Sequence, residues 1–169
     1  DGGGSVALSP PGGSYNEGAV VMLTAAADAG WQFDGWSGDL ISVTNPTTIT
    51  MDADKTVTAT FSTIPTYTLT VNTAGNGSVI PDPLGGIYDS GTVVTLTATA
   101  GLGWQFDGWS GDLGGSENPT TLTMDAAKTV TATFSTIPTY TLTVITAGNG
   151  SVALDPAGNI YDGGTTVTL

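Results

Sequence analysis

The 169-residue chain contains no cysteine, no histidine and no arginine. Without cysteine there are no disulfides, no thiolate metal sites and no thiol nucleophile. Without histidine the usual general base near neutral pH is missing, so proton transfer would fall to Asp, Glu, Tyr or the two lysines, Lys55 and Lys128. Those two cations face 15 acidic residues, a formal charge of −13. A chain so negative repels phosphate-bearing surfaces, which excludes nucleic acid and anionic lipid as expected partners. No hydrophobic run is long enough to span a bilayer, so no membrane insertion is expected in this segment. Yet only 10% of residues are charged and 39% are hydrophobic, too apolar a mixture for a disordered acidic tail.

What the chain does have is one cassette written repeatedly at a period of 73 residues, with no insertion or deletion. Trp31 returns as Trp104, Tyr15 as Tyr88 and Tyr161, and Tyr67 as Tyr140. Residues 1–65 and 74–138 are identical at 45 of 65 positions, and Trp31 to Leu40 recurs unchanged as Trp104 to Leu113. Three copies follow: 1–65, which lacks its opening strand; 66–138, complete; and 139–169, the beginning of a third. Both ends fall mid-cassette, so the chain reads as a segment of a longer array. Repetition of this fidelity suits length, spacing or multivalency better than a single asymmetric active site.

Within the cassette, apolar residues alternate with threonine at period two, as in Tyr67-Thr-Leu-Thr-Val71, Val93 to Thr99 and Thr129 to Phe134. That is the pattern of strands with one buried and one solvated face, and 25 Gly and 9 Pro punctuate it. The expected unit is a hairpin from Tyr67 to about Ile80 turning at Asn76-Gly77, and a third strand from Thr92 to Ala100. An aromatic corner from Gly103 to Leu113 follows, then strands from Thr120 to Met124 and Lys128 to Phe134. The connector Ser62-Thr-Ile-Pro65, repeated at Ser135 to Pro138, is short and closed by proline, so neighbouring modules should be held at restricted angles.

A unit this small buries a modest core, and its few large side chains matter. In Gly30-Trp31-Gln32-Phe33-Asp34-Gly35-Trp36 the alternation puts Trp31 and Phe33 on one face, and a turn at Asp34-Gly35 should bring Trp36 back to it. The core reading of Trp31, Trp36, Trp104 and Trp109 competes with a sugar-stacking platform, which needs an open Trp face.

Taken together, Tyr67-Thr-Leu-Thr-Val71, Gly75-Asn-Gly-Ser-Val79, Tyr88, Gly91, Val94-Thr-Leu-Thr-Ala98, Gly103-Trp-Gln-Phe-Asp-Gly-Trp109, Asn118-Pro119, Met124 and Lys128 to Phe134 form one pattern. It resembles the divergent internalin-B B-repeat family of bacterial surface and secreted proteins. It covers residues 66–138 and, at equivalent positions, 1–65. The resemblance implies an all-β, mainly β module of β-grasp-like type, found in tandem on stalks of adhesins, and implies no catalytic residues. An immunoglobulin-like sandwich is the alternative architecture.

Four sets of residues invite sharper readings. Asp34 with Asp39, and Asp107 with Asp112, bracket Gly-Trp-Ser-Gly and are candidate calcium ligands; the competing reading is that they make turns through nearby backbone amides. No other cofactor is expected. Asn76-Gly-Ser and Asn149-Gly-Ser fit the N-glycosylation pattern, which turn chemistry also explains. The carboxylates repeat with the cassette and no long loop builds a cleft, so a non-enzyme is expected. The expected function is a structural tandem-repeat segment of an extracellular stalk, fibre or filament of a prokaryotic surface or secreted protein. The alternative is a carbohydrate- or protein-binding adhesin module using the Trp-rich corner on cell-surface glycans or proteins. The expected partners are neighbouring repeats or further copies end to end. Tyr140 to Val144 is the candidate donor of the strand that the first repeat lacks.

Overall fold

The alternation of threonine with apolar residues becomes strand throughout, and no helix occurs among the described residues, 3–169 of the computed structural model. The chain falls into two units, Asp1–Thr66 and Tyr67–Leu169.

The first unit holds β1 (Gly4–Ser9), β2 (Val20–Ala27), β3 (Trp31–Gly38), β4 (Thr47–Thr50) and β5 (Val57–Thr63), arranged as a sheet in the order β1-β2-β4 and a second sheet β3-β5. The second unit holds β6 (Thr66–Ala74), β7 (Gly77–Asp82), β8 (Ile87–Asp89), β9 (Val93–Ala100), β10 (Trp104–Gly111), β11 (Thr120–Thr123) and β12 (Lys128–Thr136), then β13 (Thr139–Thr141) and β14 (Ile160–Asp162). Its sheets run β10-β12-β6-β8 and β11-β9-β7, with β13-β14 as a separate pair.

The chain is therefore all-β. With no helix among the described residues there is nothing for a β-grasp sheet to grasp, and the first two repeats are each two sheets around one core. In the complete repeat, Val94, Leu96 and Ala98 of β9 meet Val130, Ala132 and Phe134 of β12, with Leu69 of β6, Leu122 of β11 and Trp109 of β10 in the same buried cluster. Each large apolar side chain removed from water in this way stabilises the fold by roughly 1.5–3 kcal/mol before ordering costs. The threonines between them face outward.

Two expectations about local structure are corrected. Tyr67 to Ile80 is not a hairpin: β6 pairs in parallel with β12, Val71 opposite Val130, while β7 pairs antiparallel with β9, Val79 opposite Ala98. The chain crosses from one sheet to the other at Gly75-Asn76, and the left-handed backbone belongs to Gly75 (φ 95°), not to Asn76. A hairpin would use up the edge of β6 that β12 occupies. At Gly77 the ring of Phe134 packs so closely that a Cβ would lie 2.5 Å from it, which explains glycine there without a turn.

The aromatic corner is likewise no turn. Trp104 to Gly111 is one strand whose pairing with β12 slips between Phe106 and Gly108, leaving Asp107 as the extra residue of a β-bulge. The bulge resets the alternation, so Trp104, Phe106 and Trp109 all face the core although their spacing is not a strict period of two. The same slip lies between Phe33 and Gly35 in the first unit. Strand β8 was absent from the expected elements because three residues carry too little alternation to be read.

Candidate functional site

The bulged aromatic strand is the densest feature of each repeat. Phe106 stands 5.0 Å from Trp109 and 5.6 Å from Phe134, the rings inclined at about 60° as edge-to-face contacts prefer. Trp109 is 5% exposed, and its indole Nε1 donates to the Glu117 carbonyl at 2.9 Å. Trp36 is 4% exposed and donates to the Thr44 carbonyl at 3.1 Å. Neither presents an open ring face. Trp31 and Trp104 are half-buried, and Trp104 packs against the core.

Each candidate calcium ligand has a protein partner. Asp112 Oδ2 accepts from the Thr129 amide at 2.7 Å, and Asp39 Oδ2 from the Thr56 amide at 2.6 Å. Asp107 Oδ1 accepts from Ser135 Oγ at 2.8 Å and Gln105 Nε2 at 3.3 Å; Asp34 does the same with Ser62 and Gln32. Among the described residues no three potential ligands gather in one place. Asn76 and Asn149 are exposed, and the Asn76 carbonyl accepts from the Gly101 amide at 2.9 Å.

The lysines make local ion pairs, Lys55 with Asp52 at 2.5 Å and Lys128 with Asp125 at 2.6 Å. The hydrogen bond from Lys128 holds the Asp125 carboxyl below its ordinary value, and the same bond holds the ammonium above its own. Exposed pairs of this kind contribute little to stability.

Two anchoring devices escaped the sequence reading. The Asn118 side chain substitutes for a strand: its Oδ1 accepts from Ala98 N at 2.8 Å and its Nδ2 donates to Ala98 O at 2.7 Å, as Asn45 does with Ala25. The Tyr88 hydroxyl donates to the Pro83 and Gly85 carbonyls, both at 2.9 Å, and burial pushes its phenol above the ordinary value. Recurrence of Asn before Pro at the same place in both copies was the available signal for the first device.

The repeats differ most where β6 belongs. In the second unit Leu69 is 6% exposed, and around it Met124 and Val130 are fully buried. The first unit has no counterpart of β6 among its described residues, and β5 pairs only with β3. There Met51, Val57 and Tyr15, the equivalents of Met124, Val130 and Tyr88, are all half-exposed. They line an open groove of about 350 Å³ together with Val21, Leu23 and Trp36.

A family model described as the divergent InlB B-repeat domain matches residues 1–65 and again 67–138. The chain belongs to this family. Its B-repeats are typical of bacterial surface or secreted proteins. Comparison with curated proteins finds no match, and comparison with solved structures finds none. As B-repeats, both copies share the bulged aromatic strand, the Asn clamp and the Asp-capped strand entry, so these are parts of the module and not additions to one copy.

Proposed function

We infer that this chain is a non-catalytic, load-spacing segment of an extracellular stalk or fibre built from B-repeats laid end to end. The observation that carries the reading is how little slack joins successive modules. Strand β5 ends at Thr63 and β6 begins at Thr66, and the intervening Ile64 amide donates to Gly30 O of its own repeat at 2.8 Å. At the next junction the Ile137 amide does the same to Gly103 O at 2.9 Å. Proline completes each connector, so the linker behaves as a stiff spacer. The net charge of −13 and the threonine-faced strands support the same reading, because like charge resists collapse of one module onto another.

The adhesin alternative draws no support from the aromatic strand, where Trp36 and Trp109 are spent on core packing and on backbone carbonyls. The carboxylates are likewise used as caps.

Small-angle scattering tests the proposal. A compact globule of this length has a radius of gyration of about 15 Å. The stalk reading expects a clearly larger value and an elongated distance distribution, with antibodies to the repeat labelling intact cells. A radius near the compact value would sink it.

A further inference from the structure

We propose that β6 and β12 of the complete repeat form a shear clamp, so that this module holds against tension along the chain instead of unravelling under it. The direction of the load rests on the stalk reading above, which the clamp extends from spacing to the bearing of force.

Strand β6 opens the repeat and β12 closes it, so a pull on the connectors Ser62 to Pro65 and Ser135 to Pro138 acts on the start of one strand and the end of the other. These two strands lie side by side and run parallel over six residue pairs, from Lys128 opposite Leu69 to Thr133 opposite Ala74. The start of β6 and the end of β12 are therefore at opposite ends of one ladder, roughly 20 Å long at about 3.3 Å per residue. Tension drags the strands past each other along their axes. Every rung is loaded at once, and none opens before the rest. In an antiparallel pair, such as β7 with β9, the same two termini would share one end of the ladder and part rung by rung.

Neither strand can leave sideways. The order β10-β12-β6-β8 places both in the interior of their sheet. On its other side β6 is tied to the β8 segment, where Leu69 N donates to Gly86 O at 2.9 Å, and Tyr88 of β8 is anchored by its hydroxyl to the Pro83 and Gly85 carbonyls. Strand β12 pairs with β10 at seven positions. Just past its end the Ile137 amide donates to Gly103 O at 2.9 Å, so load arriving from Pro138 meets that bond first.

Side chains oppose the same motion. Leu69 of β6 stands in one buried cluster with Val130, Ala132 and Phe134 of β12, and Val71 packs against it. A slip of one residue puts the N–H and C=O groups out of phase, and rotating the strand to restore them would turn threonine into the core. No adjacent register catches the sliding strand before the ladder has broken. Forced unfolding is governed by the unfolding rate, hence by this barrier and not by the equilibrium stability of the fold.

Single-molecule pulling on the full chain tests the clamp through two pairs of attachment points that share one residue. The chain has no cysteine of its own, so introduced thiols are the only handles. Thr68→Cys with Thr136→Cys holds opposite ends of the ladder and shears it. Thr68→Cys with Ala127→Cys holds β6 and β12 at the same end and unzips it. All three residues are exposed, and residues outside the repeat carry no load in either case. At one loading rate the first pair should rupture at a force several-fold higher than the second. Its extension should come in a single step of about 200–220 Å, the 69 residues from Thr68 to Thr136 at roughly 3.3–3.6 Å each less the folded span. Thr66→Cys with Pro138→Cys, also exposed, is a second shearing pair and should match the first.

Equal rupture forces for shearing and unzipping would overturn the proposal. So would a shearing pair that yields through a series of small low-force steps. The scattering result stands apart from both, since an elongated chain with a weak module keeps the stalk reading and refutes only the clamp.

Discussion

Replacing Trp109 by alanine should bring the complete repeat close to unfolding. The ring is 5% exposed, lies 5.0 Å from Phe106 and joins the cluster that links β9, β10 and β12. Truncating a buried ring of this size costs about 3–5 kcal/mol in lost transfer energy and residual cavity. The bond from Nε1 to Glu117 O adds on the order of 1 kcal/mol. That share is soft, because the freed carbonyl lies in a loop that water can reach. At roughly 0.05–0.15 kcal/mol per residue, a 73-residue repeat holds about 4–11 kcal/mol in total. The substitution therefore removes a large fraction of it. Hydrogen exchange of the β9 and β12 amides in the full chain reads the effect on this repeat alone, and their protection should collapse. Trp109→Phe, which keeps the contact with Phe106 and loses the indole bond, should cost much less. A Trp109→Ala chain with native protection and an unchanged melting temperature would refute the assignment of this strand to the core.

Asn118→Ala should cost about 1–3 kcal/mol, because it leaves the N–H and C=O of buried Ala98 unpaired; an unchanged denaturant midpoint would mean that water replaces the clamp. A calcium chelator should leave the melting curve unmoved, since Asp107 and Asp112 already bond Ser135 and the Thr129 amide, and a chelator-induced collapse would show a metal role for them. Tyr88 should titrate above the ordinary tyrosine value near 10, followed by ultraviolet absorbance of the phenolate. With the folded value raised, its stabilisation is fully present below the unfolded value and disappears as pH rises through the folded one, so alkali and not acid should unfold the repeat through this group.

The residues alone determined the period of 73, the all-β class, the family and the faces on which threonine and apolar side chains lie, because each of these is local or a matter of counting. Alternation announces a strand, and it announced β9, β11 and β12 nearly to the residue. It does not announce partners. Nothing in strands β6 and β7 as sequence says that one is the parallel neighbour of β12 and that the other belongs to the opposite sheet. Asn76-Gly77 fits a hairpin turn and a sheet crossing equally well, and only the Phe134 ring over Gly77 chooses between them. At Asp107 the rings face one side either through a turn or through a bulge; the pairing with β12 decided for the bulge, since a turn would forfeit the ladder from Gly108 to Gly111. The candidate carboxylates were visible as a spacing, but whether they meet a cation or a backbone amide depends on where Thr129 and Ser135 arrive from distant strands. The open groove is the extreme case. Met51, Val57 and Tyr15 are half-exposed where their counterparts Met124, Val130 and Tyr88 are buried, and the parallel pairing of β6 with β12 shows which strand covers that surface in the complete repeat.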